Sequence, residues 1–342
     1  MAEVIPILKQ KADFDECIKK LSELCKGDLH SINTLILEKL DSSVPLIQEI
    51  GKYLILSGGK RLRPLLTTSC FHLLNNDSTD TFNHIGLAAA VEFIHAATLL
   101  HDDVVDLSKD RRGKLTANEV WGNKTSVLVG DFLFSRSFQL MTKYGNLTTL
   151  KILSDTSVII SEGEVLEISN DKNLEMNEDT YFKIINGKTA SLFSAACQVG
   201  GLIGGAKINQ HQALKSFGTN FGMAFQLIDD AIDYSSNSKL MGKNLGDDFK
   251  EGKITLPIIL AYGRSNDKEK QFWKKVIAKP DKEEENFNKA RELLFKYNCI
   301  EDTLVRANHF ADVAIDSLSI FKNNEYKSAL IKLIEESIKR LY

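Results

Sequence analysis

Apolar side chains recur at three- and four-residue intervals along most of the chain. Phe14, Ile18, Leu21 and Leu24, then Ile32, Leu35, Ile36 and Leu40, predict amphipathic helices between residues 12 and 56. The same spacing returns from Ile85 to Leu107, near Val127 to Tyr144, from Ile152 to Ile168, from Thr180 to Val199 and from Gln210 to Tyr234. A last helix, Glu325 to Tyr342, carries an apolar stripe of Leu330, Leu333, Ile334, Ile338 and Leu341. Strand alternation is nowhere sustained, and five Pro in 342 residues leave long helices uninterrupted, so an all-α fold is predicted. Asn237 to Thr255 is polar and Gly-punctuated and reads as a loop, whereas 264–287, heavy in Lys, Asp and Glu, reads as a solvated linker or exposed helix. Apolar helices continue from end to end without a composition break, so residues 1–342 are expected to form a single domain. A split near 237–250 is the alternative.

Acids interrupt this pattern in two places. His101-Asp-Asp-Val-Val-Asp106 follows directly on the apolar stretch Phe93 to Leu100. Asp102 and Asp106, four apart, share one helical face, and His95, seven before Asp102, lies on it too. Two unit charges 4 Å apart repel by about 4 kcal/mol at an effective dielectric of 20, so facing carboxylates need a cation, a proton or water. The pattern returns 127 residues after Asp102, where Gln226, Asp229, Asp230 and Asp233 stand at i, i+3, i+4 and i+7 on an otherwise apolar helix. A lone DDxxD is readily a solvated helix end; two copies on apolar helices are not.

Oxygen ligands without Cys or His pairing point to a hard cation. Mg²⁺ takes one or two carboxylates and completes its shell with substrate phosphate and water, so the acids predict a phosphorylated substrate. Cationic groups stand near both stripes: Arg111 and Arg112 after the first, Lys243 and Lys253 after the second. Lys60 and Arg63 lie in a Gly-rich link whose Gly58 and Gly59 let backbone approach a phosphate. Alone, that link would read as a surface turn. Lys188-Thr189 sits amid Ala, Phe and Ile, where an unpartnered lysine is costly to bury unless it snorkels.

Composition narrows the picture further. A formal net charge of −3 offers no strong field for nucleic acid or an anionic membrane, so anion binding must be local. Cys17, Cys25, Cys70, Cys197 and Cys299 lack the spacing of a zinc site or disulfide framework and read as buried thiols in a reducing compartment. The first twenty residues lack a secretory apolar core and hold four acids, which suits a cytoplasmic protein, although a trimmed start would look the same. No apolar run of about 18 residues stands free of polar groups, Gly86 to Val105 being broken by Glu92, His95, His101 and two Asp, so a soluble chain without a transmembrane segment is expected.

The ordered motifs GGKRLRP (58–64), LLHDDVVD (99–106), DRRGK (110–114), GDFLFSRSF (130–138), EGEVLE (162–167), GKTASLF (187–193), FQLIDDAID (225–233) and GKNLGDDFKEGKITLP (242–257) resemble the trans-type polyprenyl diphosphate synthases, in their octaprenyl-like bacterial branch. The resemblance implies a single-domain helical bundle around a deep central cavity and a homodimer. It implies Mg²⁺ ions held by Asp102, Asp103, Asp106, Asp229, Asp230 and Asp233, bridging an allylic diphosphate contacted by Arg111, Lys188, Lys243 and Lys253. Lys60, Arg63, His95 and Arg112 would bind isopentenyl diphosphate. Thr189 and Gln226 would face the allylic cation, whose formation and capture build a linear product for quinone side chains. The proton lost at the end goes to the released diphosphate, so no side chain is assigned as base.

Short-chain members commonly place an aromatic residue five or four positions before the first Asp, where this chain has Ala97 and Thr98. Small residues there imply a heptaprenyl to decaprenyl product, octaprenyl being favoured. One position departs from the pattern: Glu167 stands where EGExxQ expects Gln. A farnesyl or geranylgeranyl synthase, a class I terpene cyclase, a non-catalytic subunit of a heteromeric synthase and a helical protein whose acids face water are the rival readings. A cyclase normally carries Asn, Ser or Thr and Glu in its second motif, and a non-catalytic subunit usually lacks motif Asp; neither holds here.

Overall fold

The computed structural model describes residues 4–74, 82–111, 113–235, 246–279 and 283–341, with side chains from residue 13 to 340. Its first helices are α1 (Val4–Leu24), α2 (Lys26–Lys39), α3 (Pro45–Leu56), α4 (Leu62–Leu74) and α5 (Asn83–Val105). Gly58 and Gly59, at φ 101° and 138°, turn the chain from α3 into α4 in conformations that side-chain-bearing residues rarely adopt. Pro64 falls in the first turn of α4, where its missing N–H costs no helical bond.

A two-residue hairpin, β1 (Asp110–Arg111) with β2 (Lys114–Leu115), follows α5. Next come α6 (Ala117–Trp121), α7 (Asn123–Tyr144), α8 (Leu147–Ser169) and α9 (Glu178–Ile185). A π-helical turn, Asn186–Ala190, joins α9 to α10 (Ser191–Ile203), so the helix predicted from Thr180 to Val199 is interrupted where the motif residues lie. Then follow α11 (Ile208–Tyr234), α12 (Asp247–Glu251), α13 (Leu256–Arg264), α14 (Asp267–Ile277), α15 (Glu284–Lys296), α16 (Cys299–Ser317), α17 (Glu325–Ile338) and a 3₁₀ turn, Lys339–Leu341.

Two sequence expectations need correction. The charged stretch 264–287 contains a capped helix that packs, α14. Asn266 accepts from the N–H groups of Lys268 and Glu269 while Glu269 reaches back to the N–H of Asn266, and Trp273, Val276 and Ile277 are buried. Composition concealed that stripe because the charges fill the remaining faces. The loop expected at 237–255 contains the short helix α12, part of that loop lying outside the described residues.

Among the described residues the buried apolar side chains form two clusters. One joins α1 to α5, α7, α10 and α17; the other joins α9, α13, α14, α15 and α16. Helix α11 serves both, through Leu214, Phe217 and Phe221 in its first half and Leu227, Ile228 and Ile232 in its second. Helix α5 is the one described helix long and apolar enough to cross a bilayer, and 78% of its most apolar stretch is buried within the protein. The five cysteines are buried free thiols.

Candidate functional site

The first acid motif ends α5, and its three acids part company. Asp103 is 1% exposed and accepts from Arg111 Nε and Nη2, at 2.9 and 2.6 Å to Oδ1. Arg111 is delivered by the hairpin, which turns at Gly113 (φ 74°), the Gly113 N–H donating to Asp110 at 3.0 Å. Asp106 caps the helix and lines a cavity of 440 Å³, with Glu164 and Glu167 of α8, Lys188, Asp230, and Lys253 beyond α12. Lys253 Nζ lies 3.1 Å from Asp106 Oδ2 and 2.8 Å from Glu251 Oε2. Burial, reinforced by Glu164, pushes the Asp102 carboxyl up to about 7. Asp102 and Asp106 thus offer crowded carboxylate oxygens that a hard divalent cation would relieve, and this donor set fits Mg²⁺.

Lys188 reaches the cavity because α8 and the π-helical turn touch at two glycines. A Cβ on Gly187 would fall 2.8 Å from the Gly163 Cα, closer than packed atoms tolerate. The contact puts Lys188 Nζ 2.6 Å from Glu167 Oε2 and 3.1 Å from Glu164 Oε2. Both carboxylates, with Asp102 and Asp106 behind them, raise the Lys188 pKa against the opposing effect of burial, so this lysine stays charged. The π turn also carries Thr189, whose hydroxyl donates to Gln226 Oε1 at 2.8 Å.

In the second motif the acids again differ. Gln226 Nε2 donates to Asp230 Oδ1 at 2.8 Å, and the hydroxyl of Tyr181 donates to the other oxygen. Burial raises the Asp230 pKa, Asp248 adding to it. Asp233 is buried and accepts the backbone N–H groups of Asp247 and Asp248, each at 3.1 Å, so it anchors the start of α12. Asp229 Oδ1 faces Arg340 Nη1 at 2.9 Å.

Lys60, Arg63 and His95 do not line the 440 Å³ cavity. Lys60 Nζ pairs with Asp15 at 2.6 Å and stands 4.5 Å from the ring centre of Phe14. Arg340 covers the same ring at 4.9 Å and Phe225 at 4.5 Å. Arg63 stacks on Phe193 at 4.8 Å, and its Nε is buried without a hydrogen-bond partner. Burial holds the Arg63 pKa down to about 10. Arg340 thus joins Asp229 to the Phe14 ring, which Lys60 also approaches. Arg112 and Lys243 lie outside the described residues. Ala97 is 1% exposed in the core, and Thr98 donates to the carbonyl of His95 at 2.9 Å.

Four further residues take part: Glu164 and Asp248, which stand inside the motifs EGEVLE and GKNLGDDFKEGKITLP without an assigned role, and Tyr181 and Arg340, which stand outside every motif. Tyr181 is a partner brought in by the fold. Arg340 stands off the apolar stripe of the last helix, which was its only local sign.

The family model described as Polyprenyl synthetase matches residues 44–294. An octaprenyl diphosphate synthase of Escherichia coli is 39% identical, over 94% of this chain and 99% of that protein. An all-trans-nonaprenyl-diphosphate synthase (geranyl-diphosphate specific) of Rhodobacter capsulatus is 35% identical, over 92% of this chain and 95% of that protein. Among solved structures, a decaprenyl diphosphate synthase from Rhodobacter capsulatus superposes with a TM-score of 0.90 at 45% identity, covering 95% of this chain and 99% of that one. A polyprenyl synthase from Caulobacter crescentus, complexed with calcium and isoprenyl diphosphate, superposes with a TM-score of 0.89 at 43% identity, covering 95% and 98%.

Proposed function

This chain belongs to the polyprenyl synthetase family, and we propose that it is a long-chain trans-prenyltransferase condensing isopentenyl diphosphate with an allylic diphosphate. The observation that carries the proposal is one cavity lined by both acid motifs, through Asp106 and Asp230, with Lys188 and Lys253 on its wall. The long product, in the heptaprenyl to decaprenyl range, is supported by the octaprenyl, nonaprenyl and decaprenyl synthases it is similar to and by the small side chains at Ala97 and Thr98. Quinone side chains are the use we assign to such a product, and the cytoplasm the compartment.

Asp102 and Asp106 of the first motif, together with the acids of the second, would hold Mg²⁺, Asp106 and Asp230 standing on the cavity wall. Bound there, the metal supplies positive charge to the departing diphosphate. Lys188 and Lys253 add fixed charge on the same side, joined in this reading by Arg111, Arg112 and Lys243. Asp103, Asp230 and Asp233 take part in metal binding as their bonds to Arg111, Tyr181 and the start of α12 allow. Lys60, Arg63 and His95 would bind isopentenyl diphosphate, the buried Nε of Arg63 offering a donor. The allylic C–O bond breaks and its electron pair leaves on the diphosphate. Thr189 and Gln226 face the allylic cation, the Gln226 amide being fixed between the Thr189 hydroxyl and Asp230. The isopentenyl double bond supplies the pair for the new C–C bond, and the released diphosphate takes the proton then lost.

We read residues 1–342 as one domain, because α11 helps to build both apolar clusters. A homodimer is supported by the large apolar side chains left exposed on α7 and α8, among them Leu128, Phe138, Val158 and Val165. The deciding experiment measures incorporation of labelled isopentenyl diphosphate into lipid-extractable product, with an allylic primer, in the presence and absence of Mg²⁺. Mg²⁺-dependent incorporation is expected. Its absence with pure, folded protein would sink the proposal.

A further inference from the structure

Glu167 departs from the motif it belongs to, and the fold gives the departure a partner. Glu164 and Glu167 stand one turn apart on α8, and Lys188 Nζ donates to both, more closely to Glu167 (2.6 Å) than to Glu164 (3.1 Å). A glutamine at 167 would accept the same hydrogen bond through Oε1, so the contact itself does not need an acid. The carboxylate alone supplies charge. With Glu167 ionised, the group of Lys188, Glu164 and Glu167 carries one net negative charge; with glutamine it would be neutral.

That charge sits next to the first motif. Glu164 is the first of the neighbouring charges that destabilise the ionised form of Asp102, and Glu167 acts in the same way on Glu164. Asp106 and Lys253 line the same cavity, so every ligand entering it meets the field of this cluster. A divalent cation is drawn by the additional carboxylate, whereas a bare diphosphate anion is repelled.

We propose that Glu167 sets the loading order of this site: it strengthens cation binding at Asp102 and Asp106 and weakens binding of diphosphate that arrives without metal. Diphosphate is then admitted with the metal or after it. This rests on the reading of Lys188 as a diphosphate ligand, given above. Glu167 acts through Lys188 and the acids, so it is a positioning residue.

The test uses the full chain with two probes. Mn²⁺ without diphosphate reports the cation site by electron paramagnetic resonance, and inorganic pyrophosphate in chelator reports the lysine by calorimetry. Glu167→Gln is expected to weaken Mn²⁺ binding about tenfold and to tighten metal-free pyrophosphate about tenfold, as one unit charge does across several ångströms of partly hydrated protein. Glu167→Asp keeps both near wild type, and Glu167→Ser, a second charge-removing variant, moves both as Gln does. A site merely loosened by mutation would lose affinity for both probes. Changes in one direction, or none beyond twofold, overturn the role of Glu167 while wild-type binding leaves the diphosphate reading standing. Wild-type protein that binds neither probe overturns both.

Discussion

Arg111 donates to both oxygens of Asp103, from Nε and Nη2 to Oδ1 at 2.9 and 2.6 Å and from Nε to Oδ2 at 3.1 Å, and this pairing separates the middle acid of the first motif from its neighbours. Asp102→Ala and Asp106→Ala are therefore expected to cut metal-dependent turnover by about a hundredfold or more with little loss of stability. Asp103→Asn is expected to lower the free energy of unfolding by about 2 kcal/mol, because it leaves Arg111 with a poorer partner at a buried site. Urea titration and steady-state kinetics on the three variants check the contrast. Equal stability loss in all three would contradict it.

The Asp102 carboxyl, pushed up to about 7 by burial and Glu164, ties metal binding to pH. Its folded value lies above the ordinary 3.8, so the unfolded chain gives up this proton first. The contribution of Asp102 to stability thus falls as pH rises from about 4 to about 7. Metal and proton compete for the same oxygens, so the rise in Tm produced by Mg²⁺ is expected to be small near pH 5.5 and to grow toward pH 8. Melting curves with and without Mg²⁺ across that range measure it; a pH-independent rise would remove Asp102 as a ligand.

Ala97 is buried in α5 five positions before Asp102, and Ala97→Tyr places a bulky ring on the approach of that helix to the motif. The product is expected to shorten by several isoprene units, as read by mass spectrometry. Thr98→Phe is expected to act in the same direction. Unchanged product from both would remove these positions from chain-length control.

Arg340 joins the final turn to the second motif through Asp229, with its guanidinium over Phe14 and Phe225. Lysine has neither the planar face for the rings nor the fork for the carboxylate. Arg340→Ala is expected to lower kcat/KM for isopentenyl diphosphate at least about tenfold, with Arg340→Lys recovering only part of it. Kinetics at saturating allylic substrate distinguish this from a general loss of fold.

Leu128 on α7 and Val165 on α8 are 67% and 65% exposed. A charge on either face opposes its burial against a second copy. Leu128→Asp and Val165→Asp are expected to shift the protein from dimer to monomer in light scattering. A wild-type protein that is already monomeric would refute the homodimer.

The helices and the two acid stripes were legible because both are periodic signals within one segment. Gln226, Asp229, Asp230 and Asp233 mark a single face of α11, and no tertiary knowledge is needed to see it. The separate duties of those acids were not legible. Asp230 is held by Tyr181, 49 residues away in the chain, and Asp233 takes its partners from α12. Spacing makes the three acids look alike; long-range hydrogen bonding makes them different. Helix α14 was obscured for the opposite reason, since its local charge density outweighed the stripe of Trp273, Val276 and Ile277.

Helix α11 passes from one apolar cluster into the other and carries the second acid motif in its final turns. Amide protons along its inner face should exchange with solvent only through global opening, in the slowest class of the molecule. Heat inactivation should then follow the same transition as loss of far-ultraviolet circular dichroism, because the acids of the second motif are part of this helix. Stabilising substitutions anywhere along this helix should lengthen the working life of the enzyme as well as raise its melting point.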